Sequence, residues 1–247
     1  MKVLISPVSL EEAADVVEGG ADIVDVKNTN EGSLGAQFPW TVTEIAAFVH
    51  ARGGIASATL GDLPYKPGTA ALAAYGAASC GADYIKAGLH GLNTYTQAIE
   101  MMLAIRRAVR MVSDEALVVA SGYADYRRFD GLATLDLVRA ARDAECDVVM
   151  VDTAIKDGPT LFDALTMKEI REFVEAGHEA GLIVALAGSI KAEHLEPLLE
   201  LKPDIIGVRG AVCEGPDRKT RISMEKTRSF VKLFHDEPSR QSMPVSA

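Results

Sequence analysis

Gly20-Ala21-Asp22-Ile23-Val24-Asp25-Val26-Lys27 sets a small turn-forming triplet against a short apolar run, and Gly81-Ala82-Asp83-Tyr84-Ile85-Lys86 repeats the arrangement. Glu145-Cys146-Asp147 stands before Val148 and Lys202-Pro203-Asp204 before Ile205 in the same way. Glycine at a helix end can adopt φ > 0 and cap it, after which a short polar residue leads into a strand. Working outward, eight runs rich in Val, Ile and Leu emerge: Val3 to Ser6, Ile23 to Lys27, Ile55 to Leu60, Tyr84 to Ala87, Leu117 to Ser121, Val148 to Asp152, Ile183 to Ala187 and Ile205 to Arg209. Each is followed by a stretch with helical periodicity, and the triplet falls before every second run. That alternation predicts an α/β fold built of βα units, and the count predicts a single (β/α)8 barrel of the TIM type. A doubly wound sheet would commonly show a Gly-rich nucleotide turn after its first strand. Ser6-Pro7 stands there instead, and neither GxGxxG nor GxxxxGK[ST] occurs.

The chain has 247 residues, 48% hydrophobic and 24% charged, which fits one barrel domain, expected over residues 1–235. From Asp236 onward apolar periodicity is lost, and a mobile tail is expected over 236–247. A net charge of -10 argues against nucleic acid or an anionic membrane as partner. Cys80, Cys146 and Cys213 form an odd, widely spaced set without a CxxC pair, which suits a reducing compartment. Only Val3 to Ile5 precedes Ser6-Pro7, too short for a signal-peptide core, and the Ala- and Gly-rich stretch 67–82 reads as a buried helix rather than a membrane span. A cytoplasmic enzyme is expected, and the sequence leaves open whether it is a homo-oligomer.

In a barrel, reactive groups gather where strands run into the following loops, because all eight C-terminal strand ends converge on one mouth. That rule selects Asp25, Lys27, Asp62, Lys66, Lys86, Tyr123, Asp125, Asp152, Lys156, Asp157, Gly188, Ser189, Arg209 and Gly210. Asp25 and Lys27 are two apart, so a strand points both the same way. Several lysines in one mouth suggest imine chemistry, since burial and neighbouring cations favour the neutral, nucleophilic amine. Taken singly, each lysine reads equally well as a solvated strand-end charge or a phosphate clamp. Asp25 and Asp152 could hold an ammonium or move protons, and for Asp152 a structural ion pair is an equal alternative. Gly188 and Ser189 after the seventh run, with Arg209 and Gly210 after the eighth, are expected to bind phosphate through backbone N–H groups and a helix N-terminus, the alternative being that the glycines simply make tight βα turns. His50, His90, His178, His194 and His235 show no metal-ligand spacing, so neither a metal nor another cofactor is expected.

Longer segments resemble a known family. They include Asp25-Val26-Lys27-Asn28, Glu31-Gly32-Ser33-Leu34-Gly35-Ala36, Gly61-Asp62-Leu63-Pro64-Tyr65-Lys66-Pro67-Gly68-Thr69, Gly122-Tyr123-Ala124-Asp125, Val151-Asp152-Thr153-Ala154-Ile155-Lys156-Asp157-Gly158 and Ala185-Leu186-Ala187-Gly188-Ser189-Ile190. Through them the chain resembles the (5-formylfuran-3-yl)methyl phosphate synthase family nearly end to end, departing at Thr29-Asn30 and beyond about residue 235. The resemblance implies condensation of two glyceraldehyde 3-phosphate molecules, with loss of phosphate and water, to a phosphorylated furan aldehyde that feeds methanofuran-type cofactor synthesis. It also implies that Lys27 forms the Schiff base and Lys86 accepts a proton, with Asp25, Asp152 and Lys156 around the reacting carbons. Two other readings share the same residues: another Schiff-base lyase acting on a triose or pentose phosphate, and a phosphate-binding barrel without catalysis.

Overall fold

The structure, a computed structural model, describes residues 1–215 and 217–235. The expected tail at 236–247 lies outside them. In chain order the elements are β1 (Lys2–Ile5), α1 (Leu10–Glu18), β2 (Ile23–Val26), α2 (Pro39–His50), β3 (Ile55–Pro64), α3 (Pro67–Ser79), β4 (Tyr84–Gly91), α4 (Tyr95–Arg110), β5 (Leu117–Tyr123), α5 (Thr134–Asp143), β6 (Val148–Asp152), α6 (Leu161–Ala164), α7 (Met167–Glu179), β7 (Ile183–Leu186), α8 (Leu195–Leu201), β8 (Ile205–Val208) and α9 (Met224–His235). The strands pair in sequence order, all parallel, and β8 closes on β1, forming a single (β/α)8 barrel. β3 and β4 outrun their expected ends: past Thr59 their register shifts, and pairing resumes at Asp62↔Gly88 and Pro64↔Gly91. Such an irregularity bends the two strands together above the barrel rim.

Strand parity sorts the side chains. Val3, Ile5, Val24, Val26, Val149 and Val151 face outward into the layer shared with the helices. Leu4, Ile23, Tyr84, Val119, Val148 and Ile205 face inward and fill the lower barrel. Burying side chains of this size stabilises by roughly 1.5–3 kcal/mol each. Continuing the inward parity upward places Asp25, Ser57, Lys86, Ser121 and Asp152 in a buried polar layer above that plug. The Ala-rich α3 is buried along one face only, at Ala70, Ala74 and Ala78, while Leu72 and Tyr75 are exposed. Among the described residues no helix is long and apolar enough to cross a membrane.

At the opposite, N-terminal face the triplets form four equivalent latches. Gly20 and Gly81 have φ of 86° and 87°, and Glu145 and Lys202 take φ of 52° and 54° at the corresponding places. The aspartate that follows folds back onto the start of the preceding strand. Asp22 accepts from the Val3 N–H, Asp83 from Ala56, Asp147 from Val118 and Asp204 from Val184, at 2.7–2.8 Å. A basic side chain near a helix C-terminus completes each latch: His235 on Asp22, His50 on Asp83, His178 on Asp204 and Arg110 on Asp147. Three of the five histidines are thus spent on strand ends, where a helix C-terminus also favours positive charge.

Candidate active site

Asp25 anchors the polar layer. Its Oδ2 accepts from Lys86 Nζ at 2.7 Å and from Ser6 Oγ at 2.9 Å, and its Oδ1 accepts from Ser57 Oγ at 2.7 Å. The pair is sealed, with side-chain exposures of 2% for Lys86 and 0% for Asp25. Burial alone would raise the Asp25 carboxyl pKa, but the Lys86 and Lys27 charges outweigh it and hold it below the usual carboxylate value. A buried pair of this kind is expensive to break, because either partner left alone is an uncompensated charge.

Lys27 sits one residue beyond β2, on the same side as Asp25, and is 6% exposed. Its backbone N–H bonds Pro7 O, whereas among the described residues its Nζ has no hydrogen-bond or ion-pair partner. Burial lowers its pKa from 10.5 to about 7; the Asp152 and Asp25 carboxylates oppose that shift and Lys86 and Arg218 reinforce it. Near neutrality a substantial share of the amines is therefore unprotonated, and among the described residues no hydrogen bond or ion pair ties up the nucleophile.

Asp152 ends β6 on the far side of the mouth. Oδ1 accepts from Lys156 Nζ at 2.6 Å and from the Thr153 N–H at 2.7 Å, and Lys156 Nζ also reaches Thr153 Oγ1 at 2.8 Å. Burial works against its ionisation, yet Lys156 and Lys27 prevail and keep its pKa well below the ordinary value. Asp125 fixes the turn carrying these groups by accepting from the Ala154 and Ile155 N–H at 2.7 and 2.9 Å. From above, Ser33 donates to Thr153 O at 2.8 Å and, more weakly, to Asp152 at 3.4 Å, tying the long loop after β2 onto the site. The same loop is held by Thr59, which donates to Gly35 O, and by Asp62, which accepts from the Leu34 N–H and the Tyr123 hydroxyl. Burial and the Asp62 carboxylate push the Tyr123 pKa well above 10, so it acts as a neutral donor. Gly88 makes that bond possible, because a Cβ there would collide with the Tyr123 hydroxyl.

The loops after β7 and β8 complete a cavity of about 700 Å³, whose wall includes Lys27, Lys86, Asp152, Gly188, Ser189 and Gly210. Gly188 has φ of 115° and Ser189 φ of 52°, and a Cβ on Gly188 would lie 3.1 Å from Thr153 Cγ2. The backbone conformation at 188 favours glycine, and the space there is tight for any side chain. Arg209 also lines the cavity, with its guanidinium turned into the protein. Its Nε donates to Arg218 O, Nη1 to Ser6 O and Glu12 Oε2, and Nη2 to Glu12 Oε1 and Thr220 O. All five guanidinium N–H groups are thus committed to the protein, and the Arg209 side chain braces the loop after β8.

The structure therefore gathers Lys27, Lys86, Asp25, Asp152, Lys156, Gly188, Ser189, Arg209 and Gly210 around one cavity. Ser6 and Ser57 were missed, although inward parity beside Asp25 pointed at them. Ser33 was also missed, and no spacing rule reaches it, because its loop crosses from β2 to β6.

Comparison with known proteins points one way. A family model described as 4-HFC-P synthase matches residues 3–231. A (5-formylfuran-3-yl)methyl phosphate synthase of Archaeoglobus fulgidus is 53% identical over 235 residues, 95% of this chain and 100% of the relative. Its namesake in Methanocaldococcus jannaschii is 52% identical over 94% of this chain and 99% of the relative. Among solved structures, KGPDC from Streptococcus mutans superposes with a TM-score of 0.62 at 14% identity, covering 94% of this chain and 96% of that one. The 3-hexulose-6-phosphate synthase of Salmonella typhimurium reaches 0.59 at 19% identity over 95% of this chain and 100% of that one. These two show the shared barrel alone. On the match along nearly its whole length, the chain belongs to the (5-formylfuran-3-yl)methyl phosphate synthase family.

Proposed function

We propose that this chain condenses two molecules of glyceraldehyde 3-phosphate through an imine on Lys27, losing phosphate and water, to give (5-formylfuran-3-yl)methyl phosphate for methanofuran-type cofactor synthesis. The reading rests on Lys27, a buried amine with a pKa of about 7 and no side-chain partner among the described residues, set among ion pairs that leave it as the free nucleophile. The neutral amine adds to the aldehyde carbon of one triose, giving a carbinolamine. Lys86, protonated against Asp25, passes its proton to the departing hydroxyl, so that water leaves and the iminium forms. Lys86 is then neutral and takes the proton from the carbon beside the iminium, and the resulting enamine expels phosphate from the next carbon. The enol that remains attacks, through that carbon, the carbonyl of the second triose in its keto tautomer, and ring closure, loss of two waters and hydrolysis of the imine free Lys27 and the furan aldehyde. Asp25 retains Lys86 throughout, and Lys156 with Asp152 orients the second carbonyl. Gly188, Ser189 and Gly210 receive phosphate through their backbone N–H groups, with Arg209 bracing the loop.

The decisive experiment supplies the full chain with glyceraldehyde 3-phosphate as sole substrate, following inorganic phosphate and the absorbance of a conjugated furan aldehyde. Borohydride added during turnover should attach the triose to the Lys27 peptide. Aldol product without phosphate release would assign the chain to a simpler Schiff-base lyase, and turnover without mass on Lys27 would remove the imine.

A further inference from the structure

The loop that Arg209 braces carries a second guanidinium. Arg209 grips the carbonyls of Arg218 and Thr220, at 2.6 and 3.2 Å, and Asp217 closes the turn by accepting from the Lys219 N–H at 2.9 Å. The Arg218 backbone is therefore fixed from behind by a buried ion pair with Glu12. Its side chain starts beside Gly210, where even a Cβ on the glycine would lie within 3.8 Å of Arg218 Cβ, and from there it lines the same cavity as Lys27 and Asp152. The guanidinium is half-buried, and among the described residues its buried Nη2 has no hydrogen-bond partner. Burial draws its pKa below the usual guanidinium value, Asp152 opposing and Arg209 adding to the effect. A buried donor left unpaired is costly, and such atoms in a cavity wall point to a ligand.

The surrounding charge indicates which ligand. Six basic and three acidic side chains line the cavity, and Glu12 from behind cancels one of the six, so the mouth is positive in a chain of net charge -10. Guanidinium forks match phosphate oxygens bidentately, which a lysine ammonium cannot reproduce. We propose that Arg218, rather than Arg209, is the side chain that binds a substrate phosphate dianion. Identifying that dianion with a triose phosphate rests on the function proposed above; the anion site itself does not.

Calorimetric titration with inorganic phosphate compares the wild type with Arg218→Met and Arg218→Lys, folding being checked by circular dichroism. Affinity should fall on the order of 10- to 100-fold in Arg218→Met and by less in Arg218→Lys. KM for glyceraldehyde 3-phosphate should rise in parallel, while borohydride trapping of unphosphorylated glyceraldehyde on Lys27 falls far less. Unchanged phosphate affinity in Arg218→Met, no phosphate binding by the wild type, or equal losses with both aldehydes would each overturn the assignment. Failure of the furan reading shows separately, as phosphate binding that depends on Arg218 in an enzyme making no furan.

Discussion

The even-numbered strands place charge at both ends of the barrel, and the two ends treat it oppositely. At the N-terminal face Asp22, Asp83, Asp147 and Asp204 remain 28–47% exposed, and each meets a backbone N–H and a histidine or arginine. At the mouth Asp25 and Asp152 are 0% and 4% exposed and meet lysines and hydroxyls. An exposed, screened carboxylate gains little from a single cation, so the lasting contribution of the lower set is the strand-end N–H that it satisfies. In the upper set burial removes the screening, and each charge governs the protonation of its neighbours. One residue type thus fastens strands at one end and tunes amines at the other, according to water access.

The comparison is broken most severely at Lys27. Lys27→Met should stop turnover and borohydride trapping together, a larger loss than the roughly 10²–10⁴ of a missing general base. It should also stabilise the fold. Holding the pKa at about 7 instead of 10.5 represents roughly 5 kcal/mol of disfavoured charge, an upper bound because Asp25 and Asp152 lose a cationic neighbour. In the wild type that cost is complete below pH 7. It is relieved as pH rises from 7 to 10.5, where the unfolded chain binds the proton that the folded one has released. Calorimetry at pH 6.5 should therefore show Lys27→Met melting several degrees higher, the gain shrinking toward pH 10; a lower melting temperature would show that Lys27 is needed as a cation.

Lys86→Arg comes next. Arginine keeps the charge beside Asp25 but provides no usable acid or base, so turnover should slow by roughly 10²–10⁴, while borohydride still traps the triose on Lys27, more slowly because dehydration of the carbinolamine also draws its proton from Lys86. Near-normal turnover would make Lys86 an electrostatic neighbour only. For the wild type, kcat/KM should fall about tenfold per pH unit below about pH 7 as the free Lys27 amine protonates, and a flat profile down to pH 5 would contradict the free-amine reading. Smallest at the chemical step is Asp83→Ala, which leaves the Ala56 N–H and His50 without their partner. Stability should drop by about 1–3 kcal/mol, with kcat/KM of the folded enzyme unchanged. A large kinetic effect there would mean that the two faces are coupled.

The barrel was legible because apolar runs and triplets recur; the strand-end rule selected Asp25, Lys27 and Lys86, and parity put Asp25 and Lys27 on one face. Asp152 and Lys156 were legible only as residues after the sixth strand, and their pairing came from the structure. What sequence could not supply was partnership between distant segments. Lys86 pairs with Asp25 across an intervening strand, and Arg209 meets Glu12 nearly two hundred residues away. A strand-end arginine reads as a phosphate ligand until the acceptors occupying its donors are known. The extension of β3 and β4 was hidden for a related reason, since the expected third run stops at Leu60 and Asp62 and Pro64 pair with β4 only through the shifted register.

The four latches also describe how the chain is divided. Each gathers a helix, an odd strand, the next helix and an even strand: α2 with β3 and β4, α4 with β5 and β6, α7 with β7 and β8. The fourth runs α9, β1, α1, β2, because His235 closes on Asp22. By this arithmetic the last helix is the opening helix of the first quarter, and the linear order cuts one quarter in two. A rearranged gene that starts at α2 and runs through α9 into β1 would keep every quarter contiguous, marking the junction ahead of Pro39 as the natural place to reopen the ring.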